Sequence, residues 1–285
     1  MHQDNTIGSR IFDYANYLFL FLVSLAAILP FMYVVISSFS TEAALIPTQF
    51  TTAAYNYIFT TSTFVRSLGV SVYITLFGTM INLVFTSLMA YSLAHKHLAG
   101  RRVILLMVVF TMLFNGGMIP TYFIVKATGL MNTMWALMIP NAISAFYLII
   151  LKNFFQSIPD ELKESARMDG AHELGILLRI VIPLSLPAMA AFGLFYAVGL
   201  WNQYFSAVLY INSPEKWPVQ VLLRQVVILS QGSIGDSGEI ASDTVLYGEG
   251  IKMAVIVIST VPILLVYPFL QKHFAKGVLL GSVKG

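Results

Sequence analysis

The chain has 285 residues, of which 58% are hydrophobic and 10% charged, with a net charge of +3 and a mean hydropathy of +0.80. Soluble domains carry about 25% charged residues, so this composition excludes an ordinary water-soluble domain and predicts an all-α integral membrane protein, one transmembrane domain over 1–285. The absence of cysteine excludes a disulfide framework and a thiolate metal site, and so small a net charge gives no basis for binding nucleic acid.

The charged residues delimit the spans, because the intervals between them are long enough for helices of about 20 residues. The first interval, Asp13 to Glu42, predicts a span near 17–39, and this apolar run is too long, with too poor a cleavage site at Pro30-Phe31-Met32, for a removed signal peptide. The next interval, Glu42 to Arg66, is as long but holds Pro47, Gln49, Asn56 and many threonines, and predicts a loop over 40–66. Further uncharged intervals predict spans near 67–94, 103–124 and 133–151.

The composition then changes abruptly. From Phe155 to Pro183 the chain is polar and charged, and two short helices are predicted there. Ser157 and Asp160 have the spacing of a capping box, with Pro159 tolerated in the first turn. Leu162, Ala166 and Asp169 share one face of the first helix, and Gly170 ends it. Leu174, Leu177, Leu178 and Val181 recur with helical spacing and give the second an apolar stripe. Pro183 and Pro187 mark the return to the bilayer. A fifth span is predicted near 184–210, a long loop over 211–252, a sixth span near 253–270 and a tail over 271–285. In the loop, 211–229 is apolar enough to be ordered, the glycine-rich stretch from Gly232 to Glu239 reads as flexible, and the acidic part from Asp236 to Glu249 reads either way.

Six spans put both termini on one side. Eleven of the 16 lysine and arginine residues fall on that side, which makes the termini and the 155–183 segment cytoplasmic and the loops 40–66 and 211–252 external. No G-x-x-x-x-G-K-[ST] phosphate loop occurs, so any ATP must be hydrolysed by another polypeptide. The five histidines, His2, His95, His97, His172 and His273, lie at or beyond predicted cytoplasmic ends without metal-ligand spacing, and read as solvated or interfacial. The spans contain no charged residue, whereas an ion-coupled secondary transporter of a neutral solute, the alternative reading, usually keeps one there for the coupling ion. An uncharged, hydroxyl-rich solute needs aromatic faces and neutral donors. Asn115 and Tyr122 in the third span and Trp201, Asn202, Gln203 and Tyr204 in the fifth supply them, although aromatic residues at span ends also form interfacial belts.

Glu164-Ser165-Ala166, three residues, Gly170, nine residues and Ile180-Val181-Ile182-Pro183 resemble the E-A-A, G, I-x-L-P signature of ABC importer permeases, with Ser165 and Ile182 as conservative departures. Asp169-Gly170-Ala171 is similar to the carbohydrate-uptake branch. Asn115 to Tyr122, Gly129 to Leu137, Trp201 to Phe205, Tyr210 to Ser213 with Trp217-Pro218, and the tail Gly281 to Gly285 resemble the maltose-transporter-like sugar permeases, and among these the LplC group of oligosaccharide permeases. The resemblance implies a type I ABC importer permease fold of six transmembrane helices in a bacterial cell membrane, with a cytoplasmic coupling-helix loop. It implies that Glu164, Ser165, Ala166, Asp169, Gly170, Ala171, Ile180 and Pro183 contact an ATPase subunit. For Lys284 it implies a second such contact, where composition alone reads a frayed terminus. Trp217, Pro218 and Arg224 would meet an extracellular sugar-binding protein, or belong to a mere connector. The implied partners are a second homologous permease, two ATPase subunits, the binding protein and an oligosaccharide. ATP and magnesium would bind the ATPases, leaving this chain neither an enzyme nor a cofactor carrier.

Overall fold

The computed structural model describes residues 7–40, 49–232 and 248–281. Its elements are helical: α1 (Ile7–Ser38), α2 (Ala53–Thr60), α3 (Ser62–Ala94), α4 (Arg101–Leu113), α5 (Met118–Ala127), α6 (Trp135–Met138), α7 (Ala145–Gln156), α8 (Asp160–Met168), α9 (Glu173–Leu184), α10 (Leu186–Trp201), α11 (Phe205–Tyr210), α12 (Val219–Gly232) and α13 (Gly248–Gly281). Extended pairing among the described residues is limited to an antiparallel bridge between Ser40 and Phe50. The chain divides into two compact units, Met1–Ser62 with Leu223–Val261, and Thr63–Leu222 with Pro262–Gly285.

In the first unit, α1 is apolar all round and none of its most apolar window is buried. Burial of a large apolar side chain stabilises by about 1.5–3 kcal/mol, so Phe12, Tyr14 and Phe21, all more than half exposed, suit a surface that meets lipid or another protein. The C-terminus of α1 is tied down locally: Ser38 Oγ donates to the Val35 carbonyl at 2.6 Å and shares a 2.7 Å hydrogen bond with the Tyr55 hydroxyl. A Cβ on Gly250, in α13, would lie 2.6 Å from the Ser40 carbonyl oxygen. Only glycine permits that approach.

The second unit is built on α3, whose two ends enter separate apolar clusters. Toward its C-terminus Ala90, Tyr91 and Leu93 pack with Leu148, Leu151 and Phe155 of α7 and with Ile176, Leu177 and Val181 of α9. Toward its N-terminus Val70 and Ile74 pack with Val125, Leu137, Leu200, Tyr210 and Ile211. Between them α3 and α10 are pressed together at Gly78, where a Cβ would stand 2.8 Å from the Leu200 side chain.

Three of the predicted spans are interrupted. The 103–124 run breaks between α4 and α5, where Gly117 takes φ 91°, a left-handed conformation favoured by glycine, and the Asn115 side chain accepts the Gly117 N–H at 2.8 Å. The 133–151 run breaks between α6 and α7 around Pro140. Tyr196 of α10 holds that break: its hydroxyl accepts from the Ser144 N–H at 3.0 Å and pairs with the Thr86 hydroxyl at 2.7 Å. The 184–210 run breaks between α10 and α11. Breaks of this kind need partners for the freed backbone groups; Asn115 supplies one at the first break, and Tyr196 and Gln203, the latter bonding the Leu137 carbonyl, supply two at the second. The predicted loops also hold helices: α2 lies within 40–66 and α12 within 211–252, the latter over the part expected to be ordered. The stretch 233–247, read as flexible or acidic, lies outside the described residues.

Candidate functional site: the α8–α9 segment

The segment begins where α7 ends. Ser157 has helical backbone angles as the C-cap of α7 and donates its hydroxyl to the Phe154 carbonyl at 2.7 Å, so it is not free to cap α8. The expected capping box is therefore absent: α8 starts at Asp160, after Pro159 with ψ 134°, and no side chain caps it. Asp160 and Glu161 in the first turn and Arg167 in the last complement the helix dipole instead.

Lys163 anchors α8 from below. It is 7% exposed and donates to the Phe155 carbonyl at 3.3 Å and to the Asp160 carboxylate at 3.1 Å, the pairing that a buried charge requires. The Lys163 hydrogen bond, with its charge, holds the Asp160 carboxyl below its ordinary range. The outer face is different. Glu164, Ser165, Asp169 and Gly170 are exposed, Ala166 is half-buried, and Met168 is 89% exposed.

Gly170 ends α8 as the sequence suggested. With φ 82° it lets the Ala171 N–H reach the Ala166 carbonyl at 2.9 Å while its own N–H bonds Arg167 O at 3.0 Å, the paired bonds of a Schellman turn. After it, α9 contains a wide π turn over Leu177–Val181. That turn adds a residue to the repeat, and the expected stripe divides: Leu177 and Val181 are buried together with Ile176, whereas Leu174 and Leu178 are about half exposed. Ile180 is half-buried and Pro183 exposed. At Ser185, between Pro183 and Pro187, the chain bends by 87° into α10.

One constellation at this site was not legible in the sequence. The Glu173 carboxylate accepts the Arg167 Nε–H at 2.8 Å and the Tyr91 O–H at 2.6 Å, and Arg167 Nη2 lies 3.1 Å from His95 Nε2. His95 Nδ1 is 2.9 Å from the Tyr91 carbonyl, so His95, expected to be solvated, is fully engaged. The Arg167 hydrogen bond, then that of Tyr91, keeps the Glu173 carboxyl below its usual range. An ion pair this exposed contributes about 0–1 kcal/mol, but the short bond from a buried tyrosine to a carboxylate is of the stronger class, about 1.5–3 kcal/mol. A carboxylate three residues past the helix-ending glycine, and a tyrosine at a span end, were the signals available.

The other candidate residues fall into different surroundings. Trp201 is 4% exposed and lines an apolar groove of about 180 Å³ with Val72, Thr75, Leu76 and Pro262. Asn202 is exposed. Gln203 donates to the Leu137 carbonyl at 2.9 Å, and its buried oxygen has no partner among the described residues. Tyr204 and Tyr122 pack on the Val70 cluster, where Tyr122 stacks on Tyr210 at 6.5 Å. Asn115 is exposed in its turn.

Beyond α11, Asn132 has φ 58° and joins two loops. Its side-chain oxygen accepts from the Asn212 and Ser213 N–H groups at 3.1 and 3.0 Å, its amide donates to Ser213 Oγ at 2.9 Å, and Lys216 donates to its carbonyl at 2.7 Å. Trp217 spends its indole N–H on the Ile211 carbonyl at 3.0 Å and Pro218 is buried, while Arg224 is exposed. Lys284 lies outside the described residues.

The second unit thus combines apolar helices with an exposed pair of short ones, α8 and α9. The family model for the inner membrane component of binding-protein-dependent transport systems matches residues 99–280, and the chain belongs to that family. It is 55% identical to Protein LplC of Bacillus subtilis (strain 168) over 288 residues, 99% of this chain and 97% of that one. With the polygalacturonan/rhamnogalacturonan transport system permease protein YtcP of the same organism it shares 54% identity over 284 residues, 97% of this chain and 99% of that one. Its fold matches a chain from the crystal structure of a bacterial ABC transporter involved in the import of the acidic polysaccharide alginate, with TM-score 0.86 and 32% identity, covering 96% of this chain and all of that one. The protein is thus an ABC importer permease of the all-helical type I fold, a transport subunit of an inner-membrane system served by a substrate-binding protein, and not an enzyme.

Proposed function

We propose that the chain forms one half of the membrane pathway of an ABC importer that takes up oligosaccharides released from complex, in part acidic, polysaccharides. Its relatives include a permease of a polygalacturonan/rhamnogalacturonan transport system and a chain of a transporter involved in the import of alginate, and they support that substrate class. In this reading α1, α3, α4 with α5, α6 with α7, α10 with α11, and α13 are six spans with both termini cytoplasmic, and 40–66 and 211–252 lie outside. The broken spans shorten the straight helix but not the apolar path, and Asn115, Tyr196 and Gln203 take up backbone groups freed at two of the breaks.

The observation that carries the mechanism is the build of α8: a nine-residue helix anchored by buried Lys163 presents Leu162 and Met168 to the exterior beside Glu164 and Asp169. Exposed apolar side chains at the tip of a braced helix suit a groove on a partner. That partner is an ATPase subunit, with Glu164, Ser165, Ala166, Asp169, Gly170, Ala171, Ile180 and Pro183 at or behind the contact and Lys284 as a second one. Two ATPases, which bind ATP and magnesium, close on each other and carry α8 with them, and the helices of this permease and a homologous second one reorient the pathway between them. Tyr122, Trp201, Gln203 and Tyr204, with Asn115 and Asn202, offer stacking faces and neutral hydrogen bonds along it. Trp217 and Pro218 shape the outer loop, and Arg224 meets the binding protein.

The test is to purify this chain with its co-expressed permease, ATPase and binding protein, and to measure ATP hydrolysis in proteoliposomes. Galacturonan, rhamnogalacturonan, alginate and neutral oligosaccharides are each offered loaded on the binding protein. Stimulation by an oligosaccharide-loaded binding protein is expected. Uptake driven by an ion gradient without ATP would refute the reading.

A further inference from the structure

The value of a coupling helix depends on what it is fastened to. Here α8 is a short helix joined to α9 by a single glycine turn, and motion imposed on its outer face can reach the membrane helices only through its bonds to them. The C-terminal turn of α3 is held on all sides: Arg101 Nε donates to the Leu93 carbonyl at 2.8 Å, Gln156 to the Ala94 carbonyl at 3.1 Å, and His95 Nδ1 to the Tyr91 carbonyl at 2.9 Å. From that turn Tyr91 and His95 reach the two charged groups of the α8–α9 corner.

We propose that Glu173 is the positioning residue that locks α8 to α3, one carboxylate oxygen holding the coupling helix through Arg167 and the other holding α3 through Tyr91, so that the pair moves as one body. This rests on the reading of α8 as the ATPase contact and names the residue through which that contact reaches α3, beside the Lys163 bond that ties α8 to the end of α7. The circuit closes without a spare proton. Because the Tyr91 carbonyl can only accept, Nδ1 is the protonated nitrogen of His95, and Nε2 offers its lone pair to Arg167 at 3.1 Å. The Tyr91 and His95 rings sit edge to face at 4.7 Å, which fixes both. Tyr91 is 7% exposed and packed in the same cluster as Leu151, Phe155 and Val181, so its hydroxyl cannot follow a moving carboxylate without carrying α3. Along 33 residues, about 50 Å at the helical rise, α3 then delivers the displacement to its N-terminal half. There Val70 and Ile74 pack in the cluster on which Tyr122 and Tyr204 rest. Chains of packed and bonded groups are a physical carrier of coupling between distant sites.

The test uses the assembled importer in proteoliposomes and reads solute taken up per ATP hydrolysed. Glu173→Arg and Arg167→Glu each place like charges together and should lower that ratio about tenfold or more, the factor carried by a charge-assisted hydrogen bond. The double variant restores an Arg–Glu pair with reversed sense and should recover the share of the ratio that the pair carries but not all of it, because the carboxylate at 167 faces the His95 Nε2 lone pair and the Tyr91 O–H loses its acceptor. A merely structural residue would lower uptake and hydrolysis together and gain nothing from the exchange. Tyr91→Phe, which keeps the packing and removes only the α3 link, should lower the ratio by a similar factor. Normal coupling in Tyr91→Phe, or no recovery in the double variant, overturns the proposal while leaving the importer reading intact. A wild-type complex whose hydrolysis ignores the loaded binding protein overturns that reading, and the proposal with it.

Discussion

Replacing Gly170 separates the conformation of the α8–α9 corner from its volume. The residue sits at φ 82° and a Cβ there would meet nothing within 4 Å, so substitution carries no steric penalty from neighbours and its whole cost is the left-handed backbone, about 1–2 kcal/mol for an ordinary L-residue. The two bonds at stake are Ala171 N–H to Ala166 O and Gly170 N–H to Arg167 O. A cost of that size shifts the balance between the formed and the frayed turn about 5- to 30-fold. Gly170→Ala should therefore lower uptake per ATP several-fold in proteoliposomes without expelling the chain from the membrane. Gly170→Asn should retain most of the ratio, because asparagine, although larger, tolerates the left-handed region. If Asn were as damaging as Ala, or if Ala coupled normally, the argument from backbone geometry would be wrong.

A Cβ on Gly250 would stand 2.6 Å from a backbone oxygen whereas one on Gly69, within α3, would meet nothing. Gly250→Ala should accordingly lower the melting temperature in detergent, and Gly69→Ala should leave it equal or raise it, since alanine gains roughly 0.5–1 kcal/mol over glycine in a helix. Asn132→Gly keeps the positive φ and removes the side chain that joins the 132 and 212–213 backbones. It should destabilise by about 1–3 kcal/mol, and proteolysis between Ile211 and Lys216 should accelerate in step. Arg167 and Tyr91 hold the Glu173 pKa below its ordinary 4.5, so the folded value lies under the unfolded one. The stabilisation is then complete above pH 4.5 and is lost as pH falls through the lower folded value. The melting-temperature gap between wild type and Glu173→Gln should be constant near neutrality and close in acid, and a gap that widened in acid would contradict the assignment.

The membrane class was legible because it follows from composition alone, and the break at Gly170 because glycine is the residue that a left-handed helix end favours. The apolar runs were legible too, but not their interruptions. Hydropathy counts side chains, and a run such as 103–124 or 184–210 keeps its apolar character whether the backbone is straight or broken. The break is decided by which neighbour can take the freed N–H and C=O groups, as Tyr196 does for Ser144 from 52 residues away. The stripe on α9 divides between a buried and an exposed side: a count of 3.6 residues per turn does not foresee the π turn over Leu177–Val181, and Leu174 and Leu178 stay exposed.

Function divided in the same way. The motif spacing around Gly170 pointed to the permease family, because those residues are close in the chain. Tyr91, His95, Arg167 and Glu173 span 82 residues between the tyrosine and the carboxylate, and no spacing rule connects them. Alone each reads as an interfacial tyrosine, a solvated histidine and two surface charges. The local chemistry of the chain decided that its elements are helices suited to a bilayer and that α8 ends at Gly170. Their packing decided which polar groups meet, because a hydrogen bond depends on distance in space and not along the chain.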